Sequence, residues 1–320
     1  MKHNLKITPL LLTIALIGIV GCGKPNNDGR IPTIEYDGET TQATINTNNA
    51  RPILTMAFDN AKTNLALASI FPLLTKEQRY NLTTGDQRHV GTLIGDCASI
   101  ANGRANYDFE VESNGDLVGS IVFVTYCIQN VVINGRVNVT GKFSTASDPS
   151  RYKAMHWELP FVRITNGPYR MDTSGTFSVS ETEKFEGINT VQIDLSMRDQ
   201  NNNTYAADNQ LLFHTPAENS PTQADELEID KGRFYHHQYG FAYLVSTDGS
   251  LLISPGDSRP YRGGLKASAN RGFTYMNVKN GNEFDYFVDI DGDQAAEDQR
   301  LNVRWTDFYN SWDQYNPANQ

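Results

Sequence analysis

Residues 104–112 read RANYDFEVE, and the order of polar and apolar residues in that stretch decides the fold class. Ala105, Tyr107, Phe109 and Val111 take every second place, and Arg104, Asn106, Asp108, Glu110 and Glu112 fill the places between. Successive side chains of a strand point to opposite faces, so the segment is a strand with one face buried and one wet, the habit of antiparallel sheets. VQIDLSM (191–197) repeats the pattern and turns Val191, Ile193, Leu195 and Met197 inward. RLNVRW (300–305) does so with Leu301, Val303 and Trp305. SIVFVTYCI (120–128) and GFAYLVS (240–246) are more continuously apolar, as strands covered on both faces would be.

Turn residues punctuate these runs at SNGD (113–116), DQNNN (199–203), TDGS (247–250) and KNGN (279–282). Asn134-Gly135, inside VVINGRVNV (131–139), predicts a hairpin turn. One helix is expected ahead of the strands. Asn48 or Asn49 caps it, Pro52 fits its first turn, and Leu54, Ala57, Phe58, Ala61, Leu65 and Ala68 fall on one face. The expected fold is mainly β: an antiparallel β-sandwich or open half-barrel meander with one N-terminal helix. Segments 144–156 and 215–226 are the longest expected loops, and the second is a candidate boundary within the body.

The chain begins MKHNLKITPLLLTIALIGIVGC. Lys2 and Lys6 precede an apolar run, Ile7 to Val20, that is short for a membrane span, which needs roughly 18 residues, and right for the core of an export signal. Ile19-Val20-Gly21-Cys22 resembles the cleavage box of bacterial lipoprotein precursors, with isoleucine where leucine is commoner. The resemblance implies a thioether-linked diacylglycerol on Cys22, cleavage before it and a palmitate-type acyl chain on the new amino terminus. More than one chain is what a durable anchor needs. Gly23, with no aspartate at that place, is similar to the outer-membrane sorting pattern of enteric-type bacteria. The same residues would also serve ordinary cleavage with a free cysteine, or an uncleaved anchor helix. The expected organisation is a signal peptide over 1–21, an anchor and flexible tether over 22–46, and a β-rich body over 47–320. The body resembles uncharacterised β-rich bacterial exported lipoproteins, a likeness that implies no activity.

The formal net charge is −10, and removing residues 1–21 takes away two lysines and no acid, leaving −12. Such a body repels nucleic acid and anionic lipid surfaces, which recruit basic patches. With Cys22 lipidated, Cys97 and Cys127 remain as an even pair in an exported chain, where a structural disulfide is the expectation. FVDIDGDQAAEDQR (287–300) sets Asp289, Asp291 and Asp293 at the alternate spacing of calcium loops, and hard Ca²⁺ takes six to eight oxygens. Gln294 stands where such a loop has its glycine and Arg300 where it has its glutamate. Glu297 or Asp298 would have to substitute, and the other reading is an acidic hairpin turn. His236 and His237 are adjacent, so on a strand they would point to opposite faces. The chain has no G-x-S-x-G and no phosphate loop. Aromatic residues cluster at 233–243 and 305–315, where they serve either packing or a ligand. The expected function is non-catalytic: an outer-membrane lipoprotein, held through Cys22, with an interaction or structural role toward another envelope protein. The alternative is a carrier that binds a lipid or other apolar ligand in a curled sheet.

Overall fold

The alternating stretch at 104–111 is the second strand of a fourteen-stranded sheet. The computed structural model describes residues 33–55, 57–58, 86–95, 97, 103–128, 131–143, 152–166, 169–181, 189–215, 220, 222–254 and 259–305. The strands are β1 (Gln87–Ile94), β2 (Arg104–Val111), β3 (Asp116–Ile128), β4 (Val131–Phe143), β5 (Tyr152–Asn166), β6 (Tyr169–Glu181) and β7 (Asn189–Asp199). They continue as β8 (Thr204–Thr215), β9 (Asp225–His236), β10 (Gly240–Ile253), β11 (Pro260–Ser268), β12 (Phe273–Asn280), β13 (Glu283–Asp289) and β14 (Asp298–Arg304). Each pairs antiparallel with the next, and among the described residues β1 and β14 are the two edges. Of the two expected forms, the open meander is the one present. The sheet continues from β8 to β9 across 215–226, so that loop lies within one sheet.

Alternation places the core. Phe109, Ile121, Val137, Trp157, Phe177, Ile193, Leu212, Ile229, Leu244, Leu265, Met276 and Val288 are all buried, and they belong to one continuous cluster. Its aromatic pairs are close: the rings of Trp157 and Phe177 stack at 4.9 Å. Opposite residues contribute half-wet or solvent-facing side chains such as Arg88, Asp108 and Glu110.

Two expected turns are bulges instead. Asn134-Gly135 lies inside β4, which runs on to Phe143. There the register with β3 slips between Phe123 and Tyr126, Thr125 takes φ +47°, and its N–H donates to Asn134 Oδ1 at 2.8 Å. Gly135 has φ +124°, and a Cβ on it would strike the Phe161 carbonyl. Two strands further on, Gly175 (φ +130°) is held the same way against the Asp194 carbonyl, beside the β5–β6 slip at Leu159/Val162. Glycines and bulges in line bend a sheet. TDGS (247–250) is likewise inside β10, where the pairing with β9 jumps between Ala242 and Leu251. A glycine-bearing sequence that makes a hairpin when its strands are free makes a bulge when both flanks are already paired.

The bend brings distant strands together: the β7–β8 turn and strands β13 and β14 line one cavity. Helix α1, described over residues 50–55 and 57–58, packs inside that curve, with Ala50, Ile53, Leu54, Ala57 and Phe58 no more than 1% exposed. The Phe58 ring lies 5.5 Å from Trp305, which lies 4.6 Å from Phe284. Ala61, Leu65 and Ala68 of the expected stripe lie outside the described residues. Asn49 is the cap, since its carbonyl accepts the Ile53 N–H at 3.0 Å. Pro52 holds the third helical place and has no N–H, so one of the two donors that an asparagine cap usually reaches is missing. Asn49 turns its side chain back instead: Oδ1 accepts from Asn46 N at 2.8 Å, and Nδ2 donates to the Thr44 carbonyl at 2.7 Å.

Residues 33–46, whose composition reads as tether, are seated on the sheet. Ser174 Oγ accepts the Ile34 N–H at 2.8 Å on the outer face, and the Asp37 N–H donates to Thr204 Oγ1 at 3.1 Å. Residues 41–43 then pair with the start of β10, through Phe241 N to the Thr41 carbonyl at 3.0 Å and Ala43 N to the Phe241 carbonyl at 2.8 Å. Ala43 and Ile45 are in the core and α1 follows, so the chain crosses at this rim from the outer face to the inner one. Here hydroxyls of the sheet take up backbone N–H groups of the segment, which composition cannot distinguish from solvation.

Candidate functional site

Alternate hairpins of a meander end at one rim. The rim of the β7–β8, β9–β10, β11–β12 and β13–β14 turns holds the chemistry. Residues 290–297 form the β13–β14 turn, and ligand oxygens of Asp289, Asp291, Asp293 and Glu297 lie within 4.8 Å of one another. Asp289 is buried, with Oδ1 accepting from Gly292 N at 2.5 Å and Oδ2 from Gln294 N at 2.8 Å. The second bond holds Gln294 at φ +72°, the conformation for which a glycine was expected. Asp291 accepts from Asp293 N at 3.1 Å, Asp293 from Ala295 N at 2.7 Å, and Glu297 from Ile290 N at 2.6 Å. The three predicted aspartates thus come together with Glu297, and these four are the residues that could hold a divalent cation. Asp298 instead pairs with Arg300 at 3.3 Å.

Beside this turn a cavity of about 570 Å³ opens between α1, the β7–β8 turn, the β9–β10 turn and β13–β14. One wall is aromatic. Tyr239 stacks on His236 with ring centres 4.5 Å apart, and Tyr205 meets His236 edge-on at 5.5 Å. The mouth carries Asn48, Asn201 and Gln238, all exposed. Arg51 from α1 and Arg300 from β14 also line it. Arg300 is there because of a bulge. The register of β14 slips between Phe284 and Tyr286, and Asn302 takes φ +55° with its N–H on Asp285 Oδ1 at 2.9 Å. The slip pairs Tyr286 with Arg300 and Phe284 with Val303, so Leu301, expected inward, is 55% exposed. A one-residue slip moves a side chain to the other face.

His236 and His237 both line this cavity, because His237 belongs to the turn and not to β9. His237 Nδ1 is 3.3 Å from Thr204 Oγ1 and 3.7 Å from Asp37 Oδ1, so it fastens the crossing segment. The Thr204 hydroxyl, hydrogen-bonded to Asp37, holds that carboxyl below the usual carboxylate range. Asp199 Oδ1 accepts from Asn201 N at 2.8 Å and from Asn203 N at 2.9 Å, and the Tyr205 hydroxyl is 3.4 Å from Oδ2. Burial raises the Asp199 pKa in spite of these bonds, and burial together with Asp199 raises that of Tyr205, which stays a hydroxyl donor. This carboxylate is committed to the turn.

His236 is pushed down to about 3 by burial and then by His237. Its ring is neutral in the folded protein, and Nδ1 accepts the Gln238 N–H at 3.1 Å. A depressed folded pKa costs stability where only the unfolded chain binds the proton. His236 therefore leaves stability intact above about pH 6.5 and removes it as pH falls from there toward 3, by roughly 1 kcal/mol per pH unit. Asp199, with its raised pKa, acts with the opposite sign at the acid end of the same range. Melting curves between pH 7 and pH 5 are expected to show this loss. His236→Phe is expected to start lower, for want of the Gln238 bond, and to flatten it; an equal slope in both proteins would rule out His236 as its origin.

Cys97 and Cys127 are joined in a disulfide with Cα atoms 5.6 Å apart, tying the β1–β2 connection to the end of β3. Cys22 lies outside the described residues. Of the aromatic segment 233–243, Phe234 and His236 go inside, while Tyr235, Phe241 and Tyr243 form an outer cluster under Arg233. Of 305–315, Trp305 alone is described, and it is core. The cavity itself has no local motif: its walls come from five separate stretches, of which the aromatic run 233–243 and the DQNNN turn stand out in the sequence. No family model, curated protein or solved structure matches this chain.

Proposed function

We propose that the protein is a lipid-anchored, non-catalytic lipoprotein of the outer membrane that binds its partner or ligand at the rim cavity. The observation that carries this is where the free space lies. Among the described residues the inward side chains of the strands are covered by one another and by α1, and the cavities lie elsewhere: one of about 570 Å³ at the rim, among amides, rings and guanidiniums, and a shallower one of about 410 Å³ on the outer face beside Ile34 and Ser174. A carrier of apolar molecules needs an apolar face left unfilled, so the interaction reading is favoured over the carrier. The anchor is Cys22, supported by the Ile19-Val20-Gly21-Cys22 box.

Cys22→Ala is expected to move the protein from the membrane fraction to the soluble one and to abolish labelled palmitate uptake. Membrane attachment and label retained in that variant would overturn the anchor. A lipid-sized adduct on the body in native mass spectrometry, lost on delipidation, would overturn the rim reading in favour of the carrier.

A second reading concerns the aspartate turn. Glu297 joining the three aspartates crowds four like charges within 4.8 Å, and a calcium ion would offset that repulsion. Millimolar calcium is then expected to raise the melting temperature by several degrees, and Asp293→Asn to abolish most of the rise. No rise would leave an acidic hairpin held by its own backbone amides.

A further inference from the structure

We propose that the rim cavity takes a short saccharide; this rests on the reading of that cavity as the binding face and names its ligand class. Three observations carry it. The first is the mouth. The side-chain amides of Asn48, Asn201 and Gln238 are exposed there, and none has a protein partner among the described residues. A carboxamide offers a donor and an acceptor side by side. Neighbouring sugar hydroxyls, each able to donate and accept, match that pair in either orientation. A carboxylate or phosphate, acceptor only, would use half of it.

The second is the aromatic wall of Tyr239, His236 and Tyr205. Flat rings give the apolar C–H face of a sugar a surface to lie on at small entropic cost, with polar atoms at the ring edge. His236 is fixed neutral by its burial and by the Gln238 N–H that its Nδ1 accepts, so the wall carries no charge of its own near pH 7.

The third is size and charge. About 570 Å³ falls inside the roughly 300–1,000 Å³ range of small-molecule sites. Among the described residues Asp199 is the one lining carboxylate, and it is taken up by its own turn, so it neither repels nor replaces a sugar hydroxyl. Arg51 and Arg300 add charged donors, which admits an acidic sugar as well as a neutral one.

The test titrates the full-length protein, in a non-glycosidic detergent, with maltotriose, cellotriose, chitotriose and trigalacturonic acid by calorimetry. At least one is expected to bind. Tyr239→Ala is expected to weaken it at least tenfold. Asn201→Ala combined with Gln238→Ala, two exposed changes that leave the fold alone, is expected to do the same while the melting temperature stays unchanged. Absence of binding by all four sugars overturns the proposal, and so does binding that the exposed double variant leaves unaltered. Crosslinking to an envelope protein that the double variant loses, with no sugar bound, would overturn the saccharide and leave the rim as a binding face. The Cys22→Ala fractionation is independent of this titration, so the anchor and the ligand class stand or fall separately.

Discussion

Trp305→Ala is expected to lower the stability of the protein by about 3–5 kcal/mol, the usual range for a fully buried tryptophan. The Trp305 side chain is 0% exposed and sits between Phe58 of α1 and Phe284 of β13. It also follows β14 directly, and among the described residues β14 has a neighbour on one side only. The loss is therefore twofold: ring contacts worth more than their area, and the clamp that holds an edge strand and a helix together. Leu301→Ala, four residues earlier and on β14 itself, is the control. Its side chain is 55% exposed, and an exposed truncation usually changes stability by no more than about 0.5 kcal/mol. Denaturant unfolding of the two variants reads the contrast. Equal small effects would mean that the helix does not depend on this cluster, and equal large ones would mean that β14 lies in the unslipped register with Leu301 inside.

Breaking the Cys97–Cys127 bond is expected to cost about 3–4 kcal/mol for a loop of this length in the chain-entropy treatment. The effect is local in origin. Among the described residues β1 pairs with β2 alone, and Val90 and Ile94 on it are 66% and 72% exposed, so few contacts hold that edge. The bond joins the connection between β1 and β2 to the end of β3 and so fastens both outer strands to the third. In the Cys97→Ser, Cys127→Ser protein the melting temperature is expected to fall by several degrees. Amides of β1 and β2 should exchange fastest, because an edge opens before the sheet behind it. An unchanged melting temperature, together with native-state alkylation of both thiols in the parent protein, would show that the two cysteines are not bonded in solution.

The strand content was legible because the code for it is short-range. RANYDFEVE and VQIDLSM name their own buried residues: Phe109, Val111, Ile193 and Leu195 are core. The aspartate turn was legible for the same reason, since three of its four acidic residues lie at alternate places from the end of β13 into the turn. The rim cavity was not. Tyr205, His236, Arg51 and Arg300 are remote in sequence, and nothing within a window of ten residues records that they will meet.

What the chain determined by itself is periodicity: which segments are strands, which side of each is apolar, and where a proline and an asparagine start a helix. Each follows from neighbours in sequence, whose side chains alternate whatever the rest of the protein does. Tertiary structure decided register. Whether Asn134-Gly135 turns the chain or only bends it depends on β3 and β5 being in place on either side. Whether Leu301 or Arg300 faces inward depends on one slipped residue against β13. Register is a relation between strands distant in sequence, fixed by the sum of their pairings. It is register, through the bend it imposes and the side chains it turns, that places α1, the aromatic wall and the amide-lined mouth around one cavity.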